Sequence, residues 1–108
     1  MSYGKKRLKL TDEDKLWADS VKKRDGGCVI CGATYRLNAH HLIPREVKET
    51  KYDIDNGLSL CPKHHMFSRK VSAHNNPLSI VLWLMKNRKW QLDYVLKRLE
   101  EIGIDDST

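Results

Sequence analysis

The sequence predicts a small α+β fold in which two short strands and a helix are stapled by a Cys3His zinc site, with one helix before that core and two after it. Three observations predict it. Two ligand pairs, Cys28-Val29-Ile30-Cys31 and Cys61-Pro62-Lys63-His64, follow the pattern C-x2-C-x29-C-x2-H. Between them, the segments 37–43 and 58–60 read as short and extended, the first closed by Pro44 and the second preceded by the turn signal Asn56-Gly57. Outside them, three stretches space their apolar residues as helices do.

Taken in order, Thr11 is placed to cap a helix whose first turn carries Asp12, Glu13 and Asp14, with Leu16, Trp17 and Val21 as its apolar stripe and Gly26-Gly27 as its stop. Cys28 to Gly32 reads as a tight knuckle. Leu37 to Ile43 is an extended segment, a polar connection follows to Gly57, and Leu58-Ser59-Leu60 is the second strand. Pro62 suits the first position of a helix, where its missing N–H is no loss, and that helix carries His64 and His65. Asn76-Pro77 opens the next helix, with Leu78, Val81, Leu82 and Met85 spaced as one buried face. After a break around residues 87–89, Leu92, Val95, Leu96 and Leu99 form the stripe of a last helix that Gly103 ends. These stripes read as core, with a dimer surface as the alternative, and Trp83 and Trp90 read as packing residues rather than base-stacking platforms.

Composition narrows the class. The 108-residue chain is expected to form one domain, 1–108, small enough for a bound metal to matter to its stability. Three cysteines cannot all pair among themselves and no N-terminal apolar segment suggests secretion, so Cys28-x2-Cys31 reads as a metal clip. A redox pair is the weaker reading, because no βαβ unit surrounds it. The expected setting is a reducing cytoplasm. No apolar run approaches the roughly 20 residues needed to cross a bilayer. The net charge is +6, and Lys5, Lys6, Arg7 and Lys9 make residues 1–10 a basic arm, suited to a polyanionic partner or, equally, to a solubilising tail.

A structural zinc takes four sulfur or imidazole ligands in a tetrahedron, so Cys28, Cys31, Cys61 and His64 would pin the knuckle to the helix after the second strand. Adjacent helical residues point about 100° apart. With His64 on the zinc, His65 is turned toward the strand pair, where His40, His41 and Asn56 lie.

These residues carry a family resemblance. His40-His41-Leu42-Ile43-Pro44, then Asn56-Gly57-Leu58-Ser59-Leu60-Cys61 and His64-His65, in the spacing HH-x14-N-x8-H, resemble the motif of the HNH endonucleases in their zinc-stapled variety, over residues 28 to about 70. With its basic arm, its Ser72-Ala73-His74 segment and its closing helices over 77–103, the chain is similar to small stand-alone phage-type members. The resemblance implies the ββα-metal fold and metal-dependent hydrolysis of phosphodiester bonds in DNA, by nicking or double-strand cleavage. It implies a monomer or a homodimer, with no membrane partner, in the host cytoplasm if the chain is phage-encoded.

By the same resemblance, His41 matches the general base, and His40 and His65 match ligands of one catalytic divalent ion: magnesium, manganese, nickel or a second zinc. Asn56 matches a residue that either steadies the base or approaches the metal. The roles of His40 and His41 can also be exchanged. In a regular strand these two would point to opposite faces, so a bend or the strand's end must bring both to the phosphate. Where members with a His-x3-His helix place another ligand, this chain has Arg69. His74 either completes the set or caps the next helix. Arg45, Lys48, Arg69 and Lys70 suit phosphate contacts or form a solvated charged surface. Asn56-Gly57 also suits a turn with φ > 0. A base must be neutral to accept a proton, so activity is expected to fall as pH drops through the ordinary histidine range, about 6.5. The competing class is a non-catalytic zinc module that binds nucleic acid, which explains the charge and the Cys/His pairs but has no use for His40, His41, Asn56 and His65 at this spacing.

Overall fold

The computed structural model describes residues 10–103, so Lys5, Lys6, Arg7 and Lys9 of the basic arm lie outside the described residues. Helix α1 spans Asp12–Asp25 and begins in a capping box: the Thr11 hydroxyl accepts from the Asp14 N–H at 3.0 Å, and the Asp14 carboxylate accepts from the Thr11 N–H at 3.0 Å. Gly26 ends it in the left-handed region at φ 71°, donating its N–H to the Lys22 carbonyl. Trp17 and Val21, four residues apart, are buried. Leu16, expected in the same stripe, is instead 69% exposed, because it sits one residue and so about 100° away from the face that meets the hairpin.

That hairpin pairs β1 (Asn38–His41) antiparallel with β2 (Gly57–Leu60), placing Asn38 opposite Leu60 and His41 opposite Gly57. Strand β2 is buried along its whole length, under α1 on one side and against Ala73, Ile80 and Leu84 on the other. A short 3-10 turn, Ile54–Asn56, leads into it. Gly57 is extended at φ −125°, which overturns the expectation of a positive-φ turn at Asn56-Gly57. The demand for glycine there is steric. A Cβ would stand 2.6 Å from Val21 Cγ2 and 2.7 Å from Trp17 Cζ2. Gly57→Ala should therefore destabilise the fold by about 1–3 kcal/mol through overpacking. Thermal denaturation checks this, and an unchanged midpoint would contradict the packing described here.

Asp25 ties the last turn of α1 to the rest. Its carboxylate is fully buried and receives Arg24 Nε at 2.9 Å, Arg88 Nη1 at 2.8 Å and the Ser59 N–H at 2.9 Å. Burial alone would raise its pKa, but these donors outweigh it and hold the carboxyl below its usual value. Removing the acid strands two arginines that retain some solvent access. Asp25→Ala should cost about 3 kcal/mol, the lower end for breaking such a pair, read as a lowered midpoint in urea.

After β2, Pro62 leads into one wide turn, Lys63–Phe67, closed by the Ser68 N–H on the Lys63 carbonyl at 2.8 Å. This is shorter than the helix expected from Pro62. Helices α2 (Pro77–Asn87) and α3 (Lys89–Ile102) follow, separated at Arg88. The expected buried face of α2 is corrected: Leu78 is 76% and Met85 57% exposed, Val81 and Leu82 are also exposed, and Ile80 and Leu84 face the core. The helix is apolar on most sides, so two stripes satisfy the same spacing, and packing on β2 selects the second. On α3, Val95 is buried, Leu92 and Leu99 are half-buried and Leu96 is exposed. The buried Gln91 donates through Nε2 to the Asp55 and Gly57 carbonyls at 2.9 and 2.8 Å, fixing α3 to the start of β2. Trp83 is half-buried, whereas Trp90, expected as a packing residue, is 52% exposed. Among the described residues no helix is long and apolar enough to cross a membrane.

Candidate metal centres and active cleft

The knuckle after α1 is built by backbone bonds, Cys28 N–H to the Ala33 carbonyl and Gly32 N–H to the Cys28 carbonyl, and Val29 N–H ties it to Ser59 of β2. This brings Cys28 and Cys31 to Cys61 and His64. Cys31 Sγ lies 3.7 Å from Cys61 Sγ, and His64 Nδ1 lies 3.4 Å from Cys61 Sγ and 3.7 Å from Cys28 Sγ. A tetrahedron with bonds of about 2.3 Å has edges of roughly 3.7 Å, so the four atoms are spaced as zinc requires. The sulfurs are too far apart for a disulfide. Burial, with nearby Lys63, depresses the His64 pKa and favours the neutral ring that a metal needs.

A second cluster forms on the other side of the His64-His65 doublet. The His74 N–H donates to the His65 carbonyl and the Ala73 N–H to the His64 carbonyl, both at 2.9 Å, which folds the loop after the wide turn back over it. His65 Nε2 and His74 Nε2 then lie 3.1 Å apart, and the ligand nitrogens of His40, His65 and His74 all fall within 4.8 Å of one another. The His74 ring thus sits on His65 and not at the start of α2. Two imidazoles on one ion with bonds of about 2.1 Å are separated by roughly 3 Å when they are cis, so this spacing fits a shared cation. Burial, reinforced by the neighbouring histidines, pushes the His40 pKa down to about 3, and burial lowers that of His65. Both rings are neutral at physiological pH, as ligands must be.

His41 stands next to this cluster without joining it. Its ring stacks on the indole of Trp17, with centroids 3.9 Å apart and planes 9° from parallel. Its Nε2 is 2.9 Å from the Lys51 carbonyl. A carbonyl only accepts, so Nε2 carries the proton and Nδ1 keeps the lone pair. Burial lowers the His41 pKa, with Arg45 and Lys51 adding to it, against the opposing pull of the Lys51 carbonyl. The expected loss of a neutral base near pH 6.5 accordingly moves to lower pH. A cleft of about 440 Å³ is lined by His40, His41, His65 and His74 together with Arg45 and Glu46. Strand β1 ends at His41, which is how two adjacent histidines reach one cleft.

Asn56 is fully buried, and its amide contacts backbone alone. Oδ1 accepts from the Ile43 N–H at 2.7 Å, while Nδ2 donates to the Ile43 and Thr50 carbonyls at 3.0 and 3.1 Å. These contacts agree with the steadying role, the first of the two considered for it. It holds the residue next to Lys51, whose carbonyl holds His41.

Residues 28–70 match the HNH endonuclease family model. The matched segment is less than half of the chain, and over it the chain is similar to a family of endonucleases. No curated protein and no solved structure matches the chain.

The HNH segment contains both cysteine clips, the hairpin and the wide turn. His74 and all of α1 lie beyond it. Of the four cations expected to suit phosphate, Arg45 lines the cleft, with its guanidinium 3.9 Å from the Asp14 carboxylate. Lys48, Arg69 and Lys70 are exposed and do not line it. Sequence reasoning missed two groups that hold His41. Trp17 was legible only as an apolar position of α1, and the Lys51 carbonyl has no signal in residue type at all.

Proposed function

We propose that the chain is a metal-dependent HNH endonuclease that hydrolyses DNA phosphodiester bonds, with residues 28–70 as the catalytic core of one domain spanning 1–108. The observation that carries this reading is the shared cleft, in which the His41 imidazole adjoins three converging imidazoles. His41 takes the proton of the attacking water at Nδ1 and returns it to solvent through the open cleft. Its neutral state, favoured by burial, is the state a base requires. Arg45, on the wall of the same cleft, offers donors to a phosphate. A divalent ion held by His40, His65 and His74 would supply stabilisation of the charge that develops on the phosphoryl oxygens and the leaving 3′ oxygen. Asn56 keeps the 50–51 backbone in place so that the base does not turn.

The donor set narrows the cation. Among the described residues the cluster comprises three imidazoles, which suit nickel, zinc and related ions, whereas magnesium favours oxygen ligands. Supercoiled plasmid incubated with the zinc-loaded protein and a panel of divalent ions should become nicked or linear with nickel, manganese or zinc well before magnesium. Binding without cleavage under every ion would return the protein to the class of nucleic-acid-binding zinc modules. With metal at saturation, the rate should hold through pH 6.5 and decline only below it, since acid protonates a base whose pKa has been lowered. A midpoint above 6.5 would contradict the role given to His41.

A further inference from the structure

We infer that Trp17 is a positioning residue for the base, and that α1 is a working part of the active site although it lies outside the HNH segment. The inference rests on the reading of His41 as the base.

Two contacts set an imidazole for proton abstraction, one fixing its plane and one fixing its tautomer, and α1 governs both. The indole lies flat on the His41 ring at 3.9 Å. The carbonyl that fixes the tautomer belongs to Lys51, and the backbone around it is clamped to α1. Trp17 Nε1 donates to the Asp53 carbonyl at 2.8 Å, and the Tyr52 hydroxyl donates to Asp14 Oδ1 at 2.9 Å. A single side chain therefore stacks on the base and braces the loop that orients it. Gly57 makes this possible, since a Cβ opposite His41 would collide with the indole. Core packing alone demands neither near-parallel rings nor an indole N–H aimed at the loop.

The test uses the full zinc-loaded chain with Trp17→Leu and Trp17→Phe, read by steady-state cleavage of plasmid, by thermal denaturation and by NMR of the histidine rings. Trp17→Leu should lower kcat about 10–100-fold with KM little changed, as expected when a reacting group is misaligned while binding is intact. Its His41 ring should lose the pure Nε2–H tautomer. Trp17→Phe, which keeps a flat ring but loses the bond to Asp53, should recover most of kcat. Its His41 resonances should move more than those of the other four histidines. Parent kcat per folded molecule in Trp17→Leu, or a His41 spectrum unaltered in either variant, overturns the inference. Should Trp17→Leu fail to fold, the Phe variant's ring spectrum decides. A fully active His41→Ala would sink the base reading and this inference together, whereas a silent His41→Ala beside a fully active Trp17→Leu sinks this one alone.

Discussion

Cys61→Ser should leave the chain without a cooperative fold at room temperature. Cys61 closes β2, and its buried sulfur stands between Cys31 Sγ at 3.7 Å and His64 Nδ1 at 3.4 Å. A structural zinc is worth on the order of 10 kcal/mol of folding free energy, against the roughly 5–15 kcal/mol that holds a whole domain together. Loss of one ligand removes much of that at the point where the knuckle, β2 and the wide turn meet. Circular dichroism with thermal melting reads the outcome, and a chelator titration of the parent should show the order of events. Cleavage should disappear first, because the His40–His65–His74 cluster offers three ligands, one of them exposed, whereas the Cys3His set is closed and mostly buried. A Cys61→Ser protein melting within a few degrees of the parent would mean that the knot carries little of the stability.

The Cys3His cluster was legible because its signal is local in chemistry and redundant in sequence. Two clips of two ligands specify a tetrahedron whatever lies between them, and the structure brings all four atoms together. Helix α1 was legible for a similar reason. Thr11 and Asp14 are three residues apart and complete each other's hydrogen bonds without help from the rest of the fold. The buried face of α2 was not legible, because Leu78, Val81, Leu82 and Met85 satisfy the helical period as well as Ile80 and Leu84 do. Contact with β2, a tertiary event, decides between them. The site divides in the same way. The two histidine doublets and Asn56 announce themselves by type and spacing, yet what each does depends on partners that sequence hides. The partners of the Asn56 amide, the backbone of Ile43 and Thr50, are fixed by the folded loop and not by residue type. The position of the His74 ring beside His65 follows from a main-chain bond between the two residues, which side-chain type does not announce.

His41→Ala should reduce cleavage by about 10²–10⁴-fold, the range that general-base catalysis supplies, while the protein stays folded. The fold survives because His41 is only half-buried and belongs neither to the zinc knot nor to the apolar cluster around Leu58 and Leu60. The loss should fall on kcat, since Arg45 and the three-histidine cluster remain to bind phosphate and cation. His40→Ala makes the necessary contrast. It removes a ring whose nitrogen converges with those of His65 and His74, so it should weaken nickel or zinc binding in calorimetry, an effect that His41→Ala should not share. Exchange of the two roles, with His40 as base and His41 as ligand, predicts the opposite pattern. The geometry argues against exchange, because His41 Nε2 is committed to the Lys51 carbonyl, while the nitrogens of His40, His65 and His74 face one another. Cleavage by His41→Ala at the parent rate, with metal binding unimpaired, would leave the cleft without a base and remove the ground for calling it an active site.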